Sequence, residues 1–162
     1  WNINPNKIGI IGFSAGGHLA STLGTQYNSK NNFKEEPLDT ISAKPNFMAL
    51  IYPVITMQDN FTHKGSRNNL LGKNSSAALK NKFSNELNVS KNTPPTFLVH
   101  AADDTAVPVQ NTLHFYNALL AKNIKAEMHI YPYGGHGFGL ANNNGYLQNW
   151  TEQFYEWMQN LE

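Results

Sequence analysis

Short apolar runs alternate with helical stretches along this chain, and this alternation is the feature that most limits its fold. The predicted strands are Lys7–Phe13, Phe47–Tyr52, Thr96–Ala101 and Ala126–Tyr131. The predicted helices are Gly16–Tyr27, Pro108–Lys122 and Tyr146–Leu161. Strands that alternate with helices form a parallel sheet, because each return crossing is made by a helix that packs on the sheet. The sequence therefore predicts an α/β fold, a parallel sheet with helices on both faces.

Two details of this pattern make sharper predictions. The first strand lacks polar alternation, which is typical of a strand buried on both faces. In the helix Pro108–Lys122, the apolar spacing places four side chains on the inner face: Leu113, Tyr116, Leu119 and Leu120.

Residues 54–93 have only patchy periodicity, and irregular segments of that length are usually functional. We expect a lid inserted into the domain here, with one or two short helices, the best candidate being Ser76–Phe83.

Length and charge exclude several classes of protein. A chain of 162 residues fits one domain, with 12 basic and 11 acidic side chains and a net charge of +1. This balance gives no electrostatic footprint for nucleic acid or an anionic membrane. There is no cysteine, so disulfides, thiolate metal sites and a cysteine nucleophile are excluded. No apolar run approaches the roughly 18 residues of a membrane span. We expect neither nucleic acid nor a membrane as a partner.

The first strand ends in a glycine-rich turn that contains Ser14, with the sequence Gly12-Phe13-Ser14-Ala15-Gly16-Gly17. The pattern Gly-x-Ser-x-Gly between a strand and a helix is typical of a strained turn that exposes a nucleophile. Strand and helix cross so closely that Gly12 and Gly16 are expected to be positions without room for a side chain. The N–H of Ala15, at the helix start, could then face a developing oxyanion. The alternative is an ordinary turn in which Ser14 only caps the helix.

A serine hydroxyl needs a base, and suitable partners follow the third and fourth strands. Asp103 and Asp104 come directly after Thr96–Ala101, and His136 lies in a glycine-rich segment after Ala126–Tyr131. The carboxyl ends of parallel strands share one edge of the sheet, where open α/β folds place their sites. Acid and base therefore stand in the order of a serine hydrolase. From the residues alone, either aspartate could be the acid, the other fixing the loop, and His136 could be merely structural.

The remaining candidates point to no cofactor and no metal. His18 is expected to pack or hydrogen-bond under the turn, while His100 and His129 lie within strands. His63 and His114 are placed in the lid and on the surface, and no pair of histidines has the spacing of a metal site. The glycines at 9, 12, 16 and 17 do not form the G-x-G-x-x-G dinucleotide fingerprint.

The chain resembles the C-terminal half of an α/β-hydrolase of the acetyl-xylan-esterase-like and carboxylesterase-like group. It is more distantly similar to the catalytic domain of prolyl-oligopeptidase-type serine peptidases. The segments that carry the resemblance are residues 4–20, 93–100, 104–109 and 131–139. In that family the acid stands four residues after a histidine like His100 and four before a proline like Pro108, which favours Asp104. The resemblance implies a Ser14–Asp104–His136 triad and hydrolysis of small acyl esters, of the kind found on sugars or polysaccharides, through an acyl-enzyme.

The chain departs from the family in one respect. In the family, four strands and a loop precede the serine, and that loop donates the second oxyanion N–H. This sequence has neither the strands nor the loop. We therefore expect residues 1–162 to be the C-terminal part of one longer α/β-hydrolase domain. The strand Lys7–Phe13 would then be a hydrophobic edge in this piece, open to pairing with a second copy. Because the true N-terminus is expected to precede Trp1, both a cytoplasmic and an exported location stay open. A peptidase or amide hydrolase of the same fold, and a non-catalytic binding scaffold, are the alternative functions.

Overall fold

The computed structural model describes residues 2–29 and 36–161, so that Trp1 and Glu162 at the chain ends lie outside the described residues. It contains four strands, β1 (Gly9–Phe13), β2 (Phe47–Ile51), β3 (Thr96–Ala101) and β4 (Ala126–Tyr131). The helices are α1 (Ala15–Gln26), α2 (Lys64–Leu71), α3 (Ala77–Phe83), α4 (Gln110–Leu120) and α5 (Trp150–Gln159). Short 3₁₀ turns cover Pro37–Thr40, Asn85–Leu87 and Gly145–Asn149.

The strands form one parallel sheet in the order β1-β2-β3-β4, which confirms the predicted fold class. The register places Phe13 beside Ile51, and Ile51 beside Val99. Ala101, the last residue of β3, lies beside Tyr131, the last residue of β4. All four strands thus end at one edge of the sheet, and the loops that follow them lie next to one another.

Helices cover both faces of the sheet. On one face α1 and α4 bury a cluster that includes Ala20, Leu50, Leu98 and Phe115. On the other face α5 and the turn before it pack on a second cluster around Phe97 and Trp150. β3 is buried at every position because it has a strand on each side and helices on both faces. Burial of these two apolar layers is the main favourable contribution to folding.

The strand β1 corrects one prediction. It was expected to be buried on both faces, but Gly9 is exposed and Ile11 keeps 46% of its surface accessible. In the described part of the chain β1 pairs only with β2 and forms one edge of the sheet. It also begins at Gly9 rather than at Lys7, whose N–H donates to the carbonyl of Asn4 in a preceding turn.

The inner face of α4 is a second correction. Its buried side chains are Asn111, Thr112, Phe115 and Leu119, whereas Leu120 is 48% exposed and Leu113 is only partly buried. Of the four predicted residues, Leu119 is buried and Tyr116 packs against the core from a half-buried position. The two polar residues are buried because the structure supplies hydrogen-bond partners for both.

The segment between β2 and β3 contains α2, α3 and the turn Asn85–Leu87. The predicted helix Ser76–Phe83 is confirmed, since α3 begins directly after Ser76, whose Oγ accepts from the N–H of Leu79. The closing helix was predicted as one element, Tyr146–Leu161, but it is a 3₁₀ turn followed by α5. No helix within the described ranges is long and apolar enough to cross a bilayer.

Candidate active site

Ser14 occupies a strained turn between β1 and α1. Its φ is +51°, a conformation that residues other than glycine rarely adopt and that is found mostly at functional sites. Its N–H donates to the carbonyl of Ile51, and its own carbonyl accepts from Val54 and Gly17. These bonds to the chain after β2 and to the first turn of α1 hold the serine in place. They lift its side chain above the edge where the strands end.

The glycines around Ser14 differ in what they make room for. A Cβ on Gly12 would lie 2.3 Å from the carbonyl oxygen of Gly16, and a Cβ on Gly17 would lie 2.6 Å from the Cβ of Pro53. A Cβ on Gly16 meets nothing within 4 Å, so the prediction that Gly16 must lack a side chain is wrong. The crossing brings the backbone of Gly16 toward β1, while its missing side chain would point into open space.

The structure brings Ser14, His136 and Asp104 into one line of hydrogen bonds. The Oγ of Ser14 lies 2.8 Å from Nε2 of His136, and Nδ1 of His136 lies 2.6 Å from Oδ2 of Asp104. An ionised carboxylate only accepts, so Nδ1 carries the proton that it donates to Asp104. Nε2 is then free to accept from the hydroxyl of Ser14. The alternative in which Ser14 caps the helix is not seen, because its side chain makes no capping bond to α1.

Asp104 is held as a charged carboxylate in a buried place. Its side chain has no exposed surface. Burial raises the pKa of this carboxyl, but the hydrogen bonds and positive charge of His136 and the N–H groups of Val107 and Ala106 outweigh burial and leave the pKa below its ordinary value. The acid therefore stays ionised at neutral pH and can balance a positive charge on His136.

Asp103 binds elsewhere. Its Oδ1 accepts from the N–H of Gly135, at 2.8 Å, in the loop that carries His136. The residues alone left open which aspartate fixes the loop. In the structure Asp103 binds the loop backbone, and Asp104 binds the imidazole of His136. Gly135 and Gly137, on either side of His136, have φ of +59° and +83°, which only glycine adopts without strain.

Tyr52 is a site residue that the sequence did not indicate. It has a φ of +37°, unusual for a bulky residue, and the position before Pro53 normally favours an extended backbone instead. Its ring packs edge-on against the His136 imidazole, with 4.9 Å between ring centroids, and against Phe138. Its hydroxyl accepts from the N–H of Gly139. Tyr52 therefore braces both the imidazole and the loop that carries it.

The N-terminus of α1 faces the same place. The first N–H groups of a helix have no partner within the helix and carry its positive dipole end. Ala15 is the first residue of α1 and is exposed. Its N–H is thus available to an oxygen that is bound next to the hydroxyl of Ser14.

An open cleft of about 380 Å³ lies beside this helix end, between α1 and the segment that joins β2 to β3. Its lining is mostly apolar and consists of Ala15, His18, Leu19, Thr22, Met57, Ser66, Asn69, Leu70 and Phe83. Ala15 belongs to both the cleft and the helix end. A group bound at the Ala15 N–H can therefore extend into the cleft.

Buried polar contacts hold the segment between β2 and β3 against α1. The amide of Asn85 donates to the carbonyl of His18 and to the hydroxyl of Ser21. Nε2 of His18 donates to the carbonyl of Phe83 at 2.8 Å, so His18 does lie under the turn as a structural residue. On the surface, Asp59 joins α2 to α3 through Arg67 and Lys80. One wall of the cleft is thus formed by α1, and the other is formed by the segment between β2 and β3, which these hydrogen bonds hold against α1.

Three other histidines make contacts outside the hydrogen-bond line of Ser14, His136 and Asp104. His63 caps α2 by accepting from the N–H of Ser66, and the exposed His114 packs edge-on against Phe61. His129 on β4 pairs with Glu127. Within residues 2–29 and 36–161, no three His, Cys, Asp or Glu side chains gather as metal ligands would.

The sheet has four parallel strands with helices on both faces. A strained serine follows β1, an aspartate follows β3 and a histidine follows β4. This arrangement is that of an α/β-hydrolase fold. Residues 1–119 match the BD-FAE family, and residues 79–161 match the Dienelactone hydrolase family. The chain belongs to the BD-FAE family.

Relatives with known names are similar along almost the whole chain. The acetylxylan esterase of Xylanibacter ruminicola is 36% identical over 99% of this chain and 32% of its own length. Endo-1,4-beta-xylanase B of Butyrivibrio fibrisolvens is also 36% identical, over 99% of this chain and 25% of its own. The chain therefore spans about a third or less of these curated relatives.

Solved structures show the same fold. An acetyl ester-xyloside bifunctional hydrolase from Caldicellulosiruptor lactoaceticus superposes with a TM-score of 0.92 at 44% identity, over 98% of this chain and 58% of that one. A sugar hydrolase from Lactococcus lactis superposes with a TM-score of 0.75 at 28% identity, over 98% of this chain and 60% of that one. The chain spans under two thirds of each of these structures.

Proposed function

We propose that this protein is a serine ester hydrolase that acts through an acyl-enzyme on small acyl esters, with acetyl esters of sugars or polysaccharides as the substrate class. The observation that carries the proposal is the unbroken hydrogen-bond line from Ser14 through His136 to Asp104. Each member has the geometry that its role requires, since a nucleophile lies within reach of a base that an acid orients.

The first half of the reaction forms the acyl-enzyme. Oγ of Ser14 attacks the ester carbonyl carbon while its proton passes to Nε2 of His136. Asp104 balances the positive charge on the imidazole, and the N–H of Ala15 donates to the oxyanion. The tetrahedral intermediate then collapses. His136 returns the proton to the oxygen of the leaving alcohol, and the acyl group stays on Ser14.

The second half repeats these steps with water. Nε2 of His136 takes a proton from a water molecule, whose oxygen attacks the acyl carbon and forms a second oxyanion. Collapse breaks the bond to Oγ, and the proton on Nε2 returns to Ser14. The products are a free carboxylic acid and the original enzyme, so that atoms and charges balance.

The substrate class rests on the cleft and on the relatives. One substituent of the carbonyl can enter the largely apolar cleft beside Ala15, which suits a short acyl group better than a charged one. Two of the similar proteins are named for acetyl ester chemistry, an acetylxylan esterase and an acetyl ester-xyloside hydrolase. These names support acetylated sugars as the substrates to test first.

The experiment compares the wild-type protein with Ser14→Ala, using p-nitrophenyl acetate and acetylated xylan as substrates and a fluorophosphonate as a probe of the nucleophile. We expect hydrolysis and labelling by the wild type and loss of both in Ser14→Ala. Ser29→Ala, at an exposed serine after α1, is the matched control and should behave as the wild type does. Equal rates for Ser14→Ala and the wild type would contradict the assignment of the nucleophile. A wild type that hydrolyses no ester and takes no label would identify a non-catalytic scaffold.

A further inference from the structure

His100 lies behind Asp104 and contacts the carboxylate oxygen that His136 uses. It is the fifth residue of β3, and its side chain has no exposed surface. Nε2 of His100 lies 3.1 Å from Oδ2 of Asp104 and 3.0 Å from the carbonyl oxygen of Val107. On the other side of the ring, Nδ1 lies 2.7 Å from Oγ1 of Thr112.

These contacts determine the tautomer of His100. Both neighbours of Nε2 are acceptors, so Nε2 must carry a proton. Nδ1 then accepts from the hydroxyl of Thr112, which can act as a donor. Burial lowers the pKa of His100 although the charge of Asp104 opposes this, and the ring is neutral at pH 7. The contact with Asp104 is therefore a hydrogen bond from a neutral imidazole rather than an ion pair.

With this bond, Asp104 has a full set of donors. Oδ1 accepts from the N–H groups of Ala106 at 2.9 Å and Val107 at 2.8 Å. Oδ2 accepts from Nδ1 of His136 and from Nε2 of His100. A carboxylate offers about four acceptor sites, and here all are occupied. The carboxylate cannot rotate without breaking a bond in a buried place, where an unpaired polar group is costly.

We propose that His100 is a positioning residue of this site. Thr112 holds its ring in the Nε2–H tautomer, and the Nε2–H fixes Oδ2 of Asp104 on His136. The same hydrogen bond draws negative charge away from Oδ2, so that Asp104 attracts a positive His136 less strongly. The proposal rests on the proposed function and adds a residue that acts only through Asp104. Without the His100 donor, Asp104 would stabilise a positive His136 more strongly, so that His136 would hold its proton to higher pH. The base would then be less available near neutral pH.

The other titratable groups near His136 do not replace this donor. Asp103 binds the backbone of Gly135, and the Tyr52 hydroxyl accepts from Gly139. Each contacts the loop rather than the carboxylate of Asp104. Within the described residues, the side-chain donors recorded on Asp104 are the two histidines.

The first test reads the tautomer directly and needs no activity. ¹⁵N-labelled histidine is incorporated into the whole protein, and the ring nitrogens are observed by two- and three-bond correlation to the ring protons. We expect a neutral His100 at pH 7 with its proton on Nε2. A proton on Nδ1, or a positively charged ring, would overturn the proposal. This outcome is independent of whether the protein hydrolyses esters.

The second test separates positioning from structure with two variants of His100. His100→Gln keeps an N–H donor near the position of Nε2, whereas His100→Leu keeps the bulk and removes the donor. We expect His100→Leu to lower the fluorophosphonate labelling rate and kcat about 10- to 100-fold, the size of a lost hydrogen bond to a charged group. KM should change less than about twofold, because substrate does not touch His100. We expect His100→Gln to stay within about fivefold of the wild type.

The pH profile gives the decisive signature. The acid limb of the labelling rate should move to higher pH in His100→Leu and stay in place in His100→Gln. Loss of rate with an unmoved acid limb, or an equal loss in both variants, would show a merely structural role.

If His100→Leu does not fold, Thr112→Val replaces it, with Thr112→Ser as its control. Thr112→Val should lower the rate about three- to tenfold with the same displacement of the acid limb, and an unchanged profile there would contradict the proposal. A protein that shows the Nε2–H tautomer but no reaction at Ser14 would contradict the hydrolase function and leave the His100–Asp104 bond in place.

Discussion

Asp103 and Asp104 are adjacent in the chain, yet their carboxylates hold the histidine loop at two different points. Asp104 accepts from the imidazole of His136, at 2.6 Å, and Asp103 accepts from the backbone of Gly135, at 2.8 Å. One carboxylate orients the ring and the other anchors the residue before it. The loop after β3 therefore places His136 through its side chain and its backbone together.

This division of labour predicts different effects for two equivalent substitutions. Asp104→Asn replaces the charge that balances a positive His136 and permits the wrong orientation of the ring, so that kcat should fall by about 10³ to 10⁴. Asp103→Asn keeps an oxygen that can accept from Gly135, and its rate should stay within about threefold of the wild type. Ester hydrolysis at saturating substrate measures both. Equal losses in the two variants would contradict the assignment of the acid.

The glycines of the serine turn predict a contrast in stability. Gly12→Ala would place a Cβ 2.3 Å from the backbone oxygen of Gly16, which cannot move without displacing α1, so we expect a loss of about 1 to 3 kcal/mol in the free energy of unfolding. Gly16→Ala meets open space, and alanine favours a helix, so it should be neutral or stabilising by up to about 1 kcal/mol. Urea unfolding of the two variants checks this, and a larger loss in Gly16→Ala would be inconsistent with the crossing described above.

The cleft predicts a size limit on the group that enters it. Leu70, half exposed on α2, lines the cleft, and Leu70→Trp would bring an indole into that space. We expect kcat/KM for p-nitrophenyl butyrate to fall by on the order of tenfold relative to p-nitrophenyl acetate. Leu87→Trp is the matched control because Leu87 is similarly exposed and lies outside the lining. An unchanged ratio in Leu70→Trp would place the acyl group elsewhere.

The sequence was sufficient to predict the sheet and to place Ser14, the Asp103–Asp104 pair and His136 after the ends of its strands. Strand and helix alternate clearly, and parallel strands deliver their ends to one edge, so a residue that follows a strand can be placed without coordinates. The choice between Asp103 and Asp104 had no such basis in the residues themselves. It depends on which carboxylate points along the loop and which points at the ring.

Other features could not be predicted from the sequence because they depend on contacts between distant segments. Apolar spacing could not place Asn111 and Thr112 on the inner face of α4, since they are buried to bind the backbone of Ile55 and the ring of His100. The left-handed backbone of Tyr52 goes against the local preference before proline and is maintained by bonds to neighbouring strands and loops. In both cases the tertiary structure overrides a local signal.

His18 gives a prediction for stability against pH. Burial lowers its pKa below the usual 6.5, and the bond to the Phe83 carbonyl only partly opposes this. As pH falls below 6.5 the unfolded chain takes up a proton at this position more readily than the folded chain does. Proton uptake by the unfolded state lowers the free energy of unfolding, so this contribution is lost as pH falls below 6.5.

His18→Gln removes the titration and keeps an N–H donor for the carbonyl of Phe83. Between pH 7.0 and 5.5 the wild type should lose up to about 1 kcal/mol more stability than His18→Gln, since one pH unit of uncompensated protonation is worth about 1.4 kcal/mol. His100, Asp104 and Glu86 have displaced pKa values in both proteins, so their contributions cancel in the difference. Urea unfolding at several pH values measures it. Between pH 7.5 and 8.5 the difference in the free energy of unfolding between the two proteins should be constant, because His18 is neutral there in both the folded and the unfolded state. If the two plots of the free energy of unfolding against pH stay parallel down to pH 5.5, burial does not keep His18 neutral.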